Sequence, residues 1–547
     1  MKISIGFSGA AGSGVNTSGM LLGQLLSSKG YSVFGDKEYA SIIKGDNNNF
    51  FLYISDDHPF IAKTIDHFFP FDEYSITKNA KIYTLKKTHP LKDTTIKYKN
   101  VFFFGAALKL LGIAREEGEK LLASQFVGDV LAVNIDCLTK GYAYFKVPKY
   151  DLSKNIGSAK EFLFGNELIG TGAIASGMNF YSAYPMTPAS SLIEVVQSHK
   201  EVTFLQCEDE VAVSMVMLGA KFAGKRSMCG TSGGGFALMT ESISFSHQAE
   251  LGGVYILSQR DGPSTGTPTY TGQGDLNYAL NASFGETYPI VLAPSTFEEG
   301  YNLIGKALNR SDIYQHPVIF LVDKQLSEGY ISVDKSKLVS QQILRGKINT
   351  VGIEGYKRYE TTSDGISPSM LPGVENGEFI ATSYEHDEYG TTNEDPIIKK
   401  QQLEKRFKKM ETFIQQEFTK DFYGYEIINP EAKEFFVTFG VNRYVIEEFI
   451  RIKNSKFKIQ NGSVKFGLII IKCLQPFDMR LKEFLDINVK KIKKLIFVEM
   501  NYSGQLQELL THKCRLNDKK WNNKIKNIRK YSLYPVFAED IKNGMNS

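Results

Sequence analysis

Short apolar runs alternate with helical spacings through the first 145 residues. KISIGFS (2–8) reads as a buried strand, and VNTSGMLLGQLLSSKG (15–30) as a helix that ends on Gly30, the residue type that caps helices. YSVFG (31–35) reads as the next strand, and VFFFG (101–105) as a later one running into the helix AALKLLGI (106–113). Apolar strands separated by helices predict a parallel, doubly wound sheet. The polar stretch VPKYDLSKNIGSAKE (147–161) reads as a linker.

A second block, 160–330, repeats the alternation with strands GVYILSQ, PIVLA and PVIFLVD and the helix EVAVSMVMLGAKFAG. Residues 331–430 break the pattern. TTSDGISPSMLPG and EHDEYGTTNEDP are rich in turn formers, and the helix IIKKQQLEKRFKKMETFIQQEF that follows is expected to point its charges at solvent. A third block, 431–547, alternates again through EFFVTFG, FGLIIIKC and KLIFVEM. The expected architecture is three α/β domains with an irregular connecting region before the last.

Composition narrows the field. The 547 residues are 42% hydrophobic and 23% charged, with a net charge of +4, which speaks against wholesale nucleic-acid binding. No apolar run approaches a membrane span and the N-terminus carries no secretory pattern, so a cytoplasmic protein is expected. Cysteines at 137, 207, 229, 473 and 514 form no C-x-x-C pair, so neither a metal site nor an iron–sulfur cluster is read from this chain.

Four segments carry candidate chemistry. The loop Gly9-Ala-Ala-Gly12-Ser-Gly14 between strand and helix can hold an anion on backbone amides, or can be a tight turn with close helix packing. Its spacing reverses the dinucleotide fingerprint, and Asp36 or Glu38 matches the ribose-binding acid only loosely. GAKFAGKR (219–226) nearly matches a phosphate-binding loop, but Arg226 replaces the Ser or Thr and Gly224 ends a helix, so a helix cap explains it. In YPMTPASS (184–191), Thr187 before Pro188 suits a helix N-cap, and the same strand end could bind a carboxylate. Of Glu208, Asp209 and Glu210, two are explained by the helix dipole, whereas the third heads an apolar helix and invites a buried role. Finally, QRDGPSTGTPT (259–269) follows a strand directly. Its length, prolines and Arg260 favour a site for a carboxylate.

Together these segments resemble the alpha subunit of 2-oxoacid:ferredoxin oxidoreductases with a gamma domain fused at its N-terminus. GAAGSGVNTSG with KEYASIIKG looks like the gamma-domain signature, and GNELIGTGAIASGMNFYSAYPMTPASS like the family's YPITP region. EDEVAVSMVMLGAKFAG, GTSGGGFALMTE, QRDGPSTGTPTYTGQGDL, EHDEYG, LQPF and EMNYSGQLQELL follow in the family's order. The chain departs from the family at Gly45-Asp46 and Asp261-Gly262, where paired glycines are usual, and at Ser369, where arginine is usual.

The resemblance implies a gamma-type domain (1–145), a thiamine diphosphate pyrimidine-binding domain (160–330), the connecting region (331–430) and a transketolase C-terminal-like domain (431–547). It implies oxidative decarboxylation of a 2-oxoacid, 2-oxoglutarate first, to acyl-coenzyme A, carbon dioxide and reduced ferredoxin; pyruvate, branched-chain or aryl oxoacids, or a catalytically silent subunit, are the alternatives. Thiamine diphosphate is shared with a beta subunit that brings magnesium and a [4Fe–4S] cluster, in an alpha–beta heterodimer or its dimer. This chain agrees with that division, having neither a GDG tripeptide nor clustered cysteines. By the resemblance, Glu210 hydrogen-bonds the pyrimidine, Tyr184 and Pro185 lie at the cofactor, and Thr187, Arg260 and Thr269 serve the substrate. Gly9, Gly12 and Gly14 belong to the domain associated with coenzyme A, and Glu499, Asn501 and Gln505 to assembly. A dinucleotide dehydrogenase would rest on the glycine loop alone.

Overall fold

The computed structural model describes residues 1–40, 47–91, 93, 95–419, 422–461 and 464–546. Gly45-Asp46 and the end of KEYASIIKG fall outside the described residues. The chain forms two compact units. One comprises Met1–Gly165, Glu328–Leu338 and Val536–Ser547; the other comprises Asn166–Ser327 and Val339–Pro535.

The first unit is built on a six-stranded sheet with the order His67–Pro70, Lys2–Ala10, Asn47–Ser55, Ser32–Glu38, Tyr330–Val333, Glu161–Phe164. Along Lys2–Ala10, Ile3, Ile5 and Phe7 enter an apolar core with the helix Val15–Ser28. The parallel, doubly wound expectation fails here. Lys2–Ala10 is parallel to His67–Pro70, but the other four pairings are antiparallel. VFFFG also changes class, because it lies inside the helix Lys99–Leu111. A short apolar run does not reveal its period. Tertiary packing decides it: a Cβ on Gly105 would overlap the Leu138 carbonyl, and one on Gly141 the Phe102 carbonyl, so two bare helix faces close on each other.

The second unit joins two sheets through a shared apolar core. Its seven-stranded sheet runs Cys473–Gln475, Ile290–Leu292, Pro317–Asp323, Gly253–Gln259, Ser227–Thr231, Phe180–Ala183, Thr203–Gln206. All pairings are parallel except that of Cys473–Gln475. The five-stranded sheet, ordered Tyr425–Ile428, Phe466–Ile471, Glu434–Thr438, Lys494–Glu499, Ile525–Arg529, carries the strands expected in the third block. Where a boundary is expected at 330, the strand Tyr330–Val333 and the C-terminal segment belong to the first unit.

The charged helix forms over Pro396–Glu417, capped by the Asp395 carboxylate, yet its charges do not all face solvent. Lys405, Arg406 and Lys409 are buried, paired with Glu250 and Glu385. Alternation of charge along a helix cannot show which cations have a buried carboxylate waiting on another element. Among the described residues, no helix is long and apolar enough to cross a membrane.

Candidate functional site

In the seven-stranded sheet, the chain leaves Phe180–Ala183 for a neighbour on one side, Thr203–Gln206, and then for the neighbour on the other, Ser227–Thr231. Successive connections diverge there and leave a crevice at the carboxyl ends of the strands, where open α/β sheets bind ligands. Met186 and Thr231 span it, with the Thr231 hydroxyl 3.6 Å from the Met186 Sδ.

The three consecutive acids take three roles. Glu208 is exposed. Asp209 caps the helix Glu210–Phe222, its Oδ1 accepting the Ala212 amide at 2.8 Å. Glu210 is only 4% exposed, and its Oε1 has no hydrogen-bond partner among the described residues. Burial, aided by the neighbouring Asp209 charge, pushes the Glu210 carboxyl above the usual carboxylate range. The carboxylate lies against Gly235 and Thr231, so a Cβ at 235 would overlap it. A buried carboxyl oxygen without a partner is a costly feature in a folded chain and is free to accept from a donor.

Thr187 and Arg260 come together across the crevice. The Arg260 guanidinium donates from Nη1 to the Thr187 carbonyl at 2.8 Å. Thr187 is not the helix cap that its sequence suggests, because the helix begins at Ser191. The Pro188 carbonyl, instead of opening a helix, accepts the Asn166 side-chain amide at 2.9 Å. Tyr184 and Pro185 stand exposed at the strand end.

The loop bearing Arg260 is tied to itself. The Asp261 amide donates to Tyr270 O at 3.0 Å, the Thr267 amide to Asp261 O at 3.2 Å, and the Thr267 hydroxyl to the Asp261 carboxylate. Asp261 thus closes the loop internally. Thr269 is buried at the base of this loop.

Sequence reasoning missed Asp275 and Gln273. Asp275 is a second acid in Arg260's field. Burial raises its carboxyl to about 6, with Arg260 pulling the other way. A Cβ on Gly233 would stand 3.0 Å from its Oδ2. Fully buried Gln273 anchors the loop's end: its Nε2 donates to Phe439 O at 3.1 Å, and its Oε1 accepts from Asn442 at 2.9 Å. The only sequence signal was the QGDL string itself, since neither residue's partners are local.

In the first unit, Gly12 and Gly14 adopt left-handed backbone at φ 81° and 84°, conformations that favour glycine. Space is open where a Gly12 side chain would project, whereas one on Gly14 would strike Asn100. Gly9 lies against Phe71 and Ser13. Among the described residues, the helix Val15–Ser28 starts without a side-chain cap, and Ser13 Oγ and Asn16 Oδ1 are buried without hydrogen-bond partners. The backbone amides of this loop and the Ser13 hydroxyl can donate to an anionic group, whereas Asn16 Oδ1 can only accept. GAKFAGKR is the helix end expected, with Gly224 at φ 86° and Arg226 paired with Asp312. In the C-terminal block, Glu499 accepts the amides of Leu506 and Gln507 and the Asn501 side chain, while Gln505 accepts the Asn277 amide, so these residues join helix starts and loops. Among the described residues, no three His, Cys, Asp or Glu side chains gather as a metal site would require.

The family model for pyruvate flavodoxin/ferredoxin oxidoreductase, thiamine diphosphate-binding, matches residues 171–406, and that for pyruvate ferredoxin/flavodoxin oxidoreductase matches 4–88. A 2-oxoacid:ferredoxin oxidoreductase subunit alpha from Saccharolobus solfataricus is 30% identical over 640 aligned positions, covering 100% of this chain and 98% of that one. The chain belongs to the 2-oxoacid:ferredoxin oxidoreductase alpha-subunit family. The 2-oxoglutarate synthase subunit KorA of Methanocaldococcus jannaschii is 28% identical, covering 65% of this chain and 92% of its own. Among solved structures, a 2-oxoglutarate:ferredoxin oxidoreductase from Magnetococcus marinus, with 2-oxoglutarate, coenzyme A and succinyl-CoA bound, superposes with a TM-score of 0.86 at 26% identity, covering 100% of this chain and 99% of that one. The thiamine diphosphate-binding region of this oxidoreductase subunit contains Thr187, Glu210, Gly235, Arg260, Thr269 and Asp275, and the other match contains the glycine loop.

Proposed function

We propose that the chain is the catalytic alpha subunit, with gamma domain fused, of an enzyme that oxidatively decarboxylates 2-oxoglutarate, giving acyl-coenzyme A and carbon dioxide and sending electrons to ferredoxin. The observation that carries this reading is the Glu210 carboxyl, buried at the head of its helix with its Oε1 unpartnered among the described residues. The relatives that act on 2-oxoglutarate by name support the substrate.

Thiamine diphosphate, when bound, supplies a carbanion that adds to the oxo carbon and an electron sink for the loss of carbon dioxide. Glu210 fits that cofactor: burial raises its carboxyl above the ordinary range, and its Oε1 makes no hydrogen bond among the described residues, as a group kept for acid–base work requires. Gly235 leaves the space above it. Arg260, steadied by the Thr187 carbonyl, binds the substrate carboxylate, and the Thr187 and Thr269 hydroxyls orient it. Tyr184 and Pro185 contact the cofactor from the strand end. Gly9, Gly12 and Gly14, with the Ser13 hydroxyl, hold a phosphate of coenzyme A. A beta subunit brings the magnesium, the diphosphate ligands and a [4Fe–4S] cluster, and the assembly works in the cytoplasm.

The test compares Glu210→Gln with Glu208→Gln in the co-purified complex. Hydrogen–deuterium exchange at the cofactor's C2 and oxoacid turnover should both fall by at least about 100-fold in the first and stay near wild type in the second. Exchange preserved in Glu210→Gln would remove the foundation of this reading.

A further inference from the structure

Behind the helix that carries Glu210, six cationic side chains converge on two carboxylates. Asp312 receives Lys221, Arg226 at 2.5 Å and Arg345 at 2.9 Å. Glu250 receives Lys405 at 2.8 Å and Lys409, and lies in the field of Arg358, whose Nη2 donates to the Glu250 carbonyl at 2.7 Å. Every member of this cluster is buried except Arg345, whose side chain is 33% exposed.

The charges do not close. Burial and the neighbouring cations push Lys221 and Lys409 below the ordinary lysine range, Lys409 to about 7, so lysines can shed protons. Arginines cannot. Even with all three lysines neutral, three guanidinium groups face two carboxylates, the third being the part-exposed Arg345, and every lysine that keeps its proton adds a buried cation that is costly without a partner.

The cluster borders a cavity of about 40 Å³, walled by Lys221, Arg345, Arg358 and Ser369 and by the two carboxylates themselves, Glu250 and Asp312. Arg358 is 2% exposed, and its Nε donor has no acceptor among the described residues. At about 10–15 Å³ per water, the space takes a few water-sized particles and excludes organic ligands. We propose that this cavity binds one small inorganic anion of the halide class. The anion completes the charge balance and fastens the connecting segment, through Arg345, Arg358 and Ser369, to the helix Glu210–Phe222 through Lys221. This site lies apart from the acid at the opposite end of that helix, and its occupant is neither substrate nor cofactor.

Halide titration of the full chain at constant ionic strength tests this, with gluconate, too large for the cavity, as the replacement anion. Chloride should raise the thermal midpoint saturably, by on the order of 2 °C, and bromide should give an anomalous peak inside the cavity of a crystal. Arg345→Met, at the exposed edge, should remove the chloride dependence while leaving a folded chain. Equal midpoints in chloride and gluconate, or a cavity holding only water in bromide-soaked crystals, overturn the proposal. So does a chloride response that Arg345→Met leaves intact, because the anion then binds elsewhere.

Discussion

Arg260 faces Thr187 through the threonine's backbone, and this separates two effects that the sequence would merge. Arg260→Ala removes a charge-assisted contact of about 1.5–3 kcal/mol, so the Michaelis constant for oxoacids should rise about 10- to 150-fold. Thr187→Ala keeps the carbonyl that Arg260 needs and removes no cap. It should therefore slow turnover while changing stability by less than about 0.5 kcal/mol in denaturant unfolding. A loss of the size typical for a cap would show that the hydroxyl holds the helix after all. Asp275 is a half-buried acid in the field of Arg260. Its carboxyl is raised to about 6, so the folded state holds the proton more tightly than the unfolded chain. The penalty for ionising it is absent at pH 3, grows between about pH 4 and 6, and is complete above. Asp275→Asn should unfold at a higher temperature than wild type at pH 8, with the two converging near pH 3. A constant difference across that range would assign the effect to something other than this carboxyl.

At the scale of elements, the helix Glu210–Phe222 is the one on which the site depends. Its cap is Asp209, so Asp209→Ala should cost about 1 kcal/mol and displace Glu210, lowering turnover more than Glu208→Gln does. Measuring both stability and turnover matters: unchanged turnover in a destabilised Asp209→Ala chain would show that Glu210 holds its place without the cap. Gly235 constrains the same carboxyl from the facing helix. The apolar strand patterns of the second unit were legible because parallel strands buried on both faces leave continuous apolar runs. VFFFG looked the same and became a helix, since the deciding contacts, Gly105 against Leu138 and Gly141 against Phe102, involve a partner helix far along the chain.

At the scale of the whole molecule, the two sheets of the second unit share one core, and Gln273 ties the Arg260 loop to the loops of the five-stranded sheet. The chain expressed alone should bind thiamine diphosphate weakly and show no coenzyme A-dependent oxoacid oxidation, because the proposed diphosphate and metal ligands belong to a partner. Calorimetric titration and a ferredoxin-linked assay of the lone chain check this; full activity without a second chain would end the shared-site proposal.

The sequence by itself determined the family and the order of its segments, and singled out 210 as the buried acid of three, because these depend on residue types in a fixed order and on one helix start. It also placed Thr187 and Arg260 at strand ends, which needs only the period of a strand and the loop after it. Tertiary structure alone decided that the first sheet is largely antiparallel, that Tyr330–Val333 belongs to it, and that Thr187 is no cap. It alone set Asp261 into its own loop, Asp275 beside Arg260, and Lys405 and Lys409 on a buried glutamate. The physical reason is common to these: strand direction, burial of charge and the partner of a polar atom are fixed by contacts between residues far apart in the chain, and a local pattern carries no record of them.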